Sequence, residues 1–240
     1  MLKISELHKS YKNKAVLNNI NIEFEDGHIY GIIGHNGAGK STLYKCICSL
    51  ESYKGHIYHN EFDRLSHNIC FLETTPYFYP KLTGIEYLTF YRKIADKPDK
   101  GMIQEWNTLF DLPLSEYIEN YSTGMKKKIS FLSLLLQDKP IYILDEPFNG
   151  LDMDSVLIFK TLIERLRSQG KTILISSHII STLTDLCDSI YLLENGNFIK
   201  SYNPSDYHNI EKDLYVNIKS KILKITQTNL YPPRQPPIVG

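Results

Sequence analysis

The chain has 240 residues, 42% apolar and 22% charged, enough for one well-buried core with no second domain needed for stability. Its 27 basic and 27 acidic residues cancel, which argues against a nucleic-acid-binding surface as its main business. Cys46, Cys48, Cys70 and Cys187 lack metal-ligand spacing and suit a reducing cytoplasm, and no apolar stretch approaches the ~20 residues of a membrane-spanning helix.

The first strand is expected over Leu2 to Leu7, and its Lys3, Glu6 and Lys9 speak against a signal peptide. Ile20, Ile22 and Phe24 then alternate with polar residues up to an Asp26-Gly27 turn, so the chain is expected to begin with an antiparallel β portion. Ile29, Tyr30, Ile32 and Ile33 form an apolar run that leads directly into Gly34-His35-Asn36-Gly37-Ala38-Gly39-Lys40-Ser41-Thr42 and a helical segment. This is a complete phosphate-binding loop in its required strand-before, helix-after context. Glycines let backbone N–H groups turn inward around an anion, the helix start adds its positive dipole end, Lys40 reaches the β- and γ-phosphates, and Ser41 ligates Mg²⁺. A nucleoside triphosphate is therefore the expected ligand.

In His56-Ile57-Tyr58-His59 the alternation suggests two histidines exposed on one strand face. From about residue 74 to 137 the pattern turns helical. Thr83-x-x-Glu86 forms a capping box, and Met102, Ile103, Trp106, Leu109 and Phe110 make a core stripe. Ser122-Thr123-Gly124 opens a further apolar helix (Ile129, Leu132, Leu136). Ile141 to Leu144 is a strand ending in Asp145-Glu146, with Pro147 closing it; Asp145 suits a metal and Glu146 suits proton abstraction from water. A helix from Asp152 to Arg167 ends before Gly170, Thr172 to Ser176 is a buried-type strand running to His178, and Glu194-Asn195-Gly196-Asn197 is a hairpin turn. A C-terminal extension follows from about residue 203, and its Pro-rich end, 231–240, is expected to be disordered.

Between the phosphate loop and the Asp145-Glu146 strand, Tyr121-Ser122-Thr123-Gly124-Met125 resembles the Leu-Ser-Gly-Gly-Gln signature of ABC transporter nucleotide-binding subunits, with Ser122 and Gly124 matching. The resemblance covers about residues 2 to 200. It implies a P-loop NTPase fold across residues 1–240: a mainly parallel central sheet, an antiparallel N-terminal β portion and an inserted α-helical signature subdomain. It implies ATP and Mg²⁺ as cofactors, Ser41 and Asp145 at the metal, Lys40, Glu146 and His178 in catalysis, and Tyr11 as the aromatic that stacks on adenine. Ser122 and Gly124 would close the site from a second copy across a dimer interface.

Where the family places a coupling glutamine, this chain has Glu73-Thr74. Counting from the strand points to Thr74, whereas chemistry favours Glu73, whose carboxylate can accept bonds from water or ligate Mg²⁺. Tyr77-Phe78-Tyr79 and the residues after it resemble export-type subunits that handle drugs, bacteriocins and lantibiotics. The expected protein is thus a cytoplasmic ATPase, peripheral to the membrane through a separately encoded permease and paired with a second ATPase subunit of the same or another kind. A soluble, non-transport ABC ATPase acting on a protein or nucleic-acid assembly is the alternative.

Overall fold

The computed structural model describes residues 1–95 and 101–215. Strands β1 (Leu2–Tyr11) and β2 (Lys14–Phe24) pair antiparallel. The side-chain alternation along β1 slips at Glu6, whose φ of +52° marks an irregularity in the ladder: Leu2 and Ile4 are buried before it, Leu7 and Lys9 after it. The Asp26-Gly27 turn then moves the chain into a different sheet at β3 (Ile29–Ile33), and helix α1 (Lys40–Ile47) follows. Strand β4 (Lys54–His59) returns to the first sheet, giving the order β2-β1-β4.

The expected shared exposure of the two histidines does not hold. Residues three apart on a strand face opposite ways, so His56 is exposed while His59 is buried. The ring of His59 stacks on Phe62 and its Nε2 lies 2.9 Å from Asp26 Oδ1, next to the turn between the sheets.

The second sheet gains β5 (Ile69–Leu72), after which come α2 (Gly84–Ile94), α3 (Gly101–Asn107) and α4 (Thr123–Gln137). The capping box forms as expected: Thr83 N–H donates to Glu86 Oε2 (2.9 Å) and Glu86 N–H to Thr83 Oγ1 (3.4 Å). Ile103 and Phe110 are buried and Met102 and Trp106 pack against the core, but Leu109 lies on the exposed side because α3 has already ended at Asn107. Strand β6 (Ile141–Asp145), α5 (Met153–Ser168), β7 (Thr172–Ser176) and the short α6 (Ile180–Thr184) complete the alternating part. Strands β8 (Ser189–Glu194) and β9 (Asn197–Tyr202) form the expected hairpin, with Asn195 and Gly196 both at positive φ as its two-residue turn requires. A 3₁₀ segment, Pro204–Asn209, begins the C-terminal extension, and the Pro-rich 231–240 lies outside the described residues.

The second sheet has the order β5-β6-β7-β3-β8-β9, parallel except for β9. Every residue of β3, β6 and β7 is buried, as expected of strands covered on both faces. One apolar core lies between the two sheets, where Leu2, Ile4 and Phe24 pack with α1 (Leu43, Ile47) and with Ile32, Ile143 and Leu174. The other lies under the helices on the opposite face, where Phe131 of α4 stacks on Phe159 of α5 at 4.1 Å. Both cores meet along β3, β6 and β7, and this rigid centre carries the functional loops at its C-terminal strand ends.

Candidate nucleotide-binding site

The strand order puts the loop after β3 beside the ends of β7 and β6, and a cleft of about 1040 Å³ opens there. In open α/β sheets ligands bind outside the carboxyl ends of the strands. Gly39 stands at the N-cap of α1 with φ +112°, and no side chain caps that helix end, so its amides and dipole face the cleft. A Cβ on Gly34 would sit 2.3 Å from the Leu193 carbonyl, so the loop's first glycine is required by close backbone approach. Lys40 is 8% exposed and folds over the loop, its Nζ donating to the Gly34 carbonyl at 2.7 Å. Asn36, Gly37, Ala38, Ser41 and Thr42 line the cleft, as does His35, whose Nδ1 lies 3.1 Å from the Asn36 carbonyl oxygen.

Asp145 ends β6 with 2% exposure and gathers hydroxyls. Ser41 donates to its Oδ2 at 2.5 Å, Thr74 to Oδ2 at 2.8 Å and Ser176 to Oδ1 at 2.6 Å. Beneath them lies Tyr44, whose hydroxyl burial and the nearby Asp145 charge hold well above its ordinary range. The next residue, Glu146, has φ +51°, a left-handed conformation that non-glycine residues adopt at a cost of order 1–3 kcal/mol. Its N–H donates to both the carbonyl (3.2 Å) and the hydroxyl (3.1 Å) of Ser176, which hold the turn. The resulting geometry aims the Glu146 carboxylate at His178: Oε2 accepts from the His178 N–H at 3.2 Å and lies 2.9 Å from Nδ1. Burial sets their roles apart, since the Glu146 side chain is 11% exposed and the His178 ring 59%.

The structure thus brings together Lys40, Ser41, Asp145, Glu146 and His178 from three segments, and it corrects two other expectations. Glu73 does not reach the cleft; it turns outward and pairs with Lys45 at 3.4 Å, while Thr74 faces Asp145. Successive residues leaving a strand point to opposite sides, so one residue of register decides between them. Tyr11 is half-exposed at the end of β1 with Lys9 Nζ 4.7 Å from its ring centre, and the cleft wall on that side is made by Lys14, Ala15 and Val16 instead.

Ser122 and Gly124 also lie outside the cleft walls. Ser122 caps α4 by accepting from the Met125 N–H at 3.2 Å, and a Cβ on Gly124 would meet the Gly150 carbonyl oxygen at 2.7 Å. The signature therefore packs on the turn that follows Glu146 in its own chain.

Sequence reasoning missed Ser176, although a serine ending an apolar strand before Ser177-His178 was a usable signal. Asn195 and Gly196 also line the cleft, and Gly196 N–H donates to the Ala38 carbonyl at 3.1 Å. Nothing in the sequence joins a distant hairpin tip to the phosphate loop.

A phosphate loop on a central parallel strand, with an acidic pair on a second strand and a histidine beyond a third, defines a P-loop nucleoside triphosphatase. The ABC transporter family description matches residues 17–149, and the chain belongs to that family as an ATP-binding subunit. It is 32% identical over 213 residues to a lantibiotic transport ATP-binding protein of Streptococcus pyogenes, covering 86% of this chain and 93% of that protein. It is 29% identical over 218 residues to the bacitracin transport ATP-binding protein of Enterococcus faecalis, covering 87% and 71%. The solved structure of an ATP-binding subunit of an ABC transporter superposes with a TM-score of 0.79 at 27% identity, covering 91% of this chain and 99% of that one.

Proposed function

We propose that the chain is the ATPase subunit of an export-type ABC transporter, working as a dimer of ATPase subunits beneath a separately encoded permease on the cytoplasmic face of the membrane. The observation that carries this reading is the split between a phosphate-side cleft assembled within one chain and a signature, Ser122 and Gly124, that lies outside it. The relatives that transport lantibiotics and bacitracin support export, as do the exposed Tyr77 and Tyr79 just beyond Thr74, a surface suited to a membrane partner. Among the described residues no helix is long and apolar enough to cross a membrane, so the transport path would belong to the permease.

Magnesium fits the donor set. Asp145 and Ser41 supply hard oxygen ligands, Thr74 adds a hydroxyl beside them, and among the described residues no cluster of three or more His, Cys, Asp or Glu competes for a softer metal. When bound with ATP it supplies positive charge at the phosphates. In each half-site Lys40 and the loop amides orient the triphosphate, and Glu146 takes a proton from the attacking water. His178, whose Nδ1 lies 2.9 Å from Glu146 Oε2, would orient that carboxylate for the proton transfer. Ser122 and Gly124 of the second subunit then close the site, so that ATP binding draws the subunits together and hydrolysis releases them.

Mixing tests the composite site. Lys40→Ala chains and Ser122→Arg chains are each expected to be inactive, and their mixture should regain ATPase activity through one intact site per heterodimer. Heterodimers that form and stay inactive would place the whole site in one chain.

A further inference from the structure

Lys127 is the middle member of Lys126-Lys127-Lys128, and α4 turns the three in different directions. Lys126 reaches the Glu119 carbonyl at 3.1 Å on the surface, and Lys128 pairs with Asp152 at 2.9 Å. Lys127 points inward and is 1% exposed. Its ammonium has three donors, and each has a carbonyl acceptor: Thr74 at 2.7 Å, Glu73 at 3.2 Å and Glu146 at 3.3 Å. Burying an ammonium is costly, and a well-packed apolar side chain of similar volume would often be neutral or stabilising in its place. Desolvation pushes its pKa down to about 8, opposed by the Asp145 and Glu146 charges. Packing alone therefore does not account for a lysine here. What the cation does is tie three backbone segments to one point: the signature helix, the loop that presents Thr74 to Asp145, and the turn that presents Glu146 to His178.

We propose that Lys127 is a positioning residue for hydrolysis, fixing the Thr74 loop and the Glu146 turn to the signature helix so that a movement of the helical subdomain is felt at Glu146. The proposal deepens the reading of Glu146 as the proton acceptor and rests on it. Lys127 touches neither nucleotide nor water in this role. It acts through the carbonyls it holds, and through the strained φ of Glu146, which needs external support to persist.

The test compares Lys127→Met and Lys127→Gln with the unaltered full-length chain, measuring ATP affinity, steady-state ATPase and thermal melting. Lys127→Met should leave the ATP Kd within about threefold, since no phosphate contact is lost, and lower kcat by roughly 10- to 100-fold, the usual effect of a small misplacement of a catalytic group. Lys127→Gln, whose amide still donates two bonds, should recover part of that loss. In a Glu146→Gln background Lys127→Met should cost little further, because the group it positions is already disabled. A kcat within twofold of the unaltered chain would overturn the proposal, as would a rise in Kd together with a fall in kcat and melting temperature and no recovery by glutamine. Should Lys127→Met not fold, Lys127→Gln decides alone: lowered kcat at unchanged Kd supports the proposal, and unchanged kcat overturns it. Failure of the underlying reading shows separately, as Glu146→Gln turning over ATP at the normal rate.

Discussion

Replacing Glu146 by glutamine isolates one chemical property, because the two side chains have nearly the same shape and only the carboxylate accepts a proton. Glu146 is 8% exposed and its Oε2 already accepts from the His178 N–H at 3.2 Å, a bond the glutamine oxygen can keep. The contact with the His178 ring loses its charge, but that ring is 59% exposed, so the pair is worth about 0–1 kcal/mol and the fold should hold. Lys40, the loop amides and Ser41 remain in place, so ATP affinity should change by less than about 1 kcal/mol. Hydrolysis should slow by about 10²–10⁴, the worth of a positioned general base, which raises the barrier by roughly 2.7–5.4 kcal/mol. Phosphate release under saturating ATP reads the rate, nucleotide filter binding reads the affinity, and gel filtration should show a dimer accumulating in ATP. Turnover near the unaltered rate would refute the assignment of Glu146 as base.

Two further outcomes test the neighbouring geometry. Thr74→Val removes a hydroxyl that donates to a buried carboxylate, a bond worth about 1.5–3 kcal/mol, and should weaken Mg²⁺-dependent ATPase, whereas Glu73→Ala should lose only an exposed pair with Lys45 and stay near normal. The opposite result would return the coupling role to Glu73. Asp152 caps α5, and the Ser155 hydroxyl and N–H, together with Lys128, hold its carboxyl well below the ordinary 3.8. A folded-state pKa below the unfolded one means the stabilisation is complete above that ordinary value and is lost as pH falls beneath it. Asp152→Ala should therefore lower the melting temperature at pH 7 and by less at pH 3; a gap that stays constant between the two would contradict this account.

The candidate nucleotide site was legible from the chain alone because its parts are short runs of contiguous residues. Gly34 to Thr42 forms a loop whose amides face the cleft at a helix start, and Asp145-Glu146 and His178 stand where apolar strands end, so local order already suggests what each can do. The same holds for the Thr83-Glu86 cap and the Asn195-Gly196 turn, whose hydrogen bonds or backbone angles close within a few residues. Three-dimensional packing decided the rest. One residue of strand register puts Thr74 rather than Glu73 on Asp145, and opposite strand faces bury His59 while exposing His56. Tyr11 stands apart from a cleft wall that Lys14, Ala15 and Val16 make instead. Three adjacent lysines look alike in sequence, yet helical rotation sends only Lys127 inward to the Thr74 and Glu146 backbones. The strand order that sets β7 between β6 and β3 brings Ser176 under both Asp145 and Glu146. Such contacts join residues far apart in the chain through burial and shared hydrogen bonds, and those exist only once the two cores have closed on the central sheet.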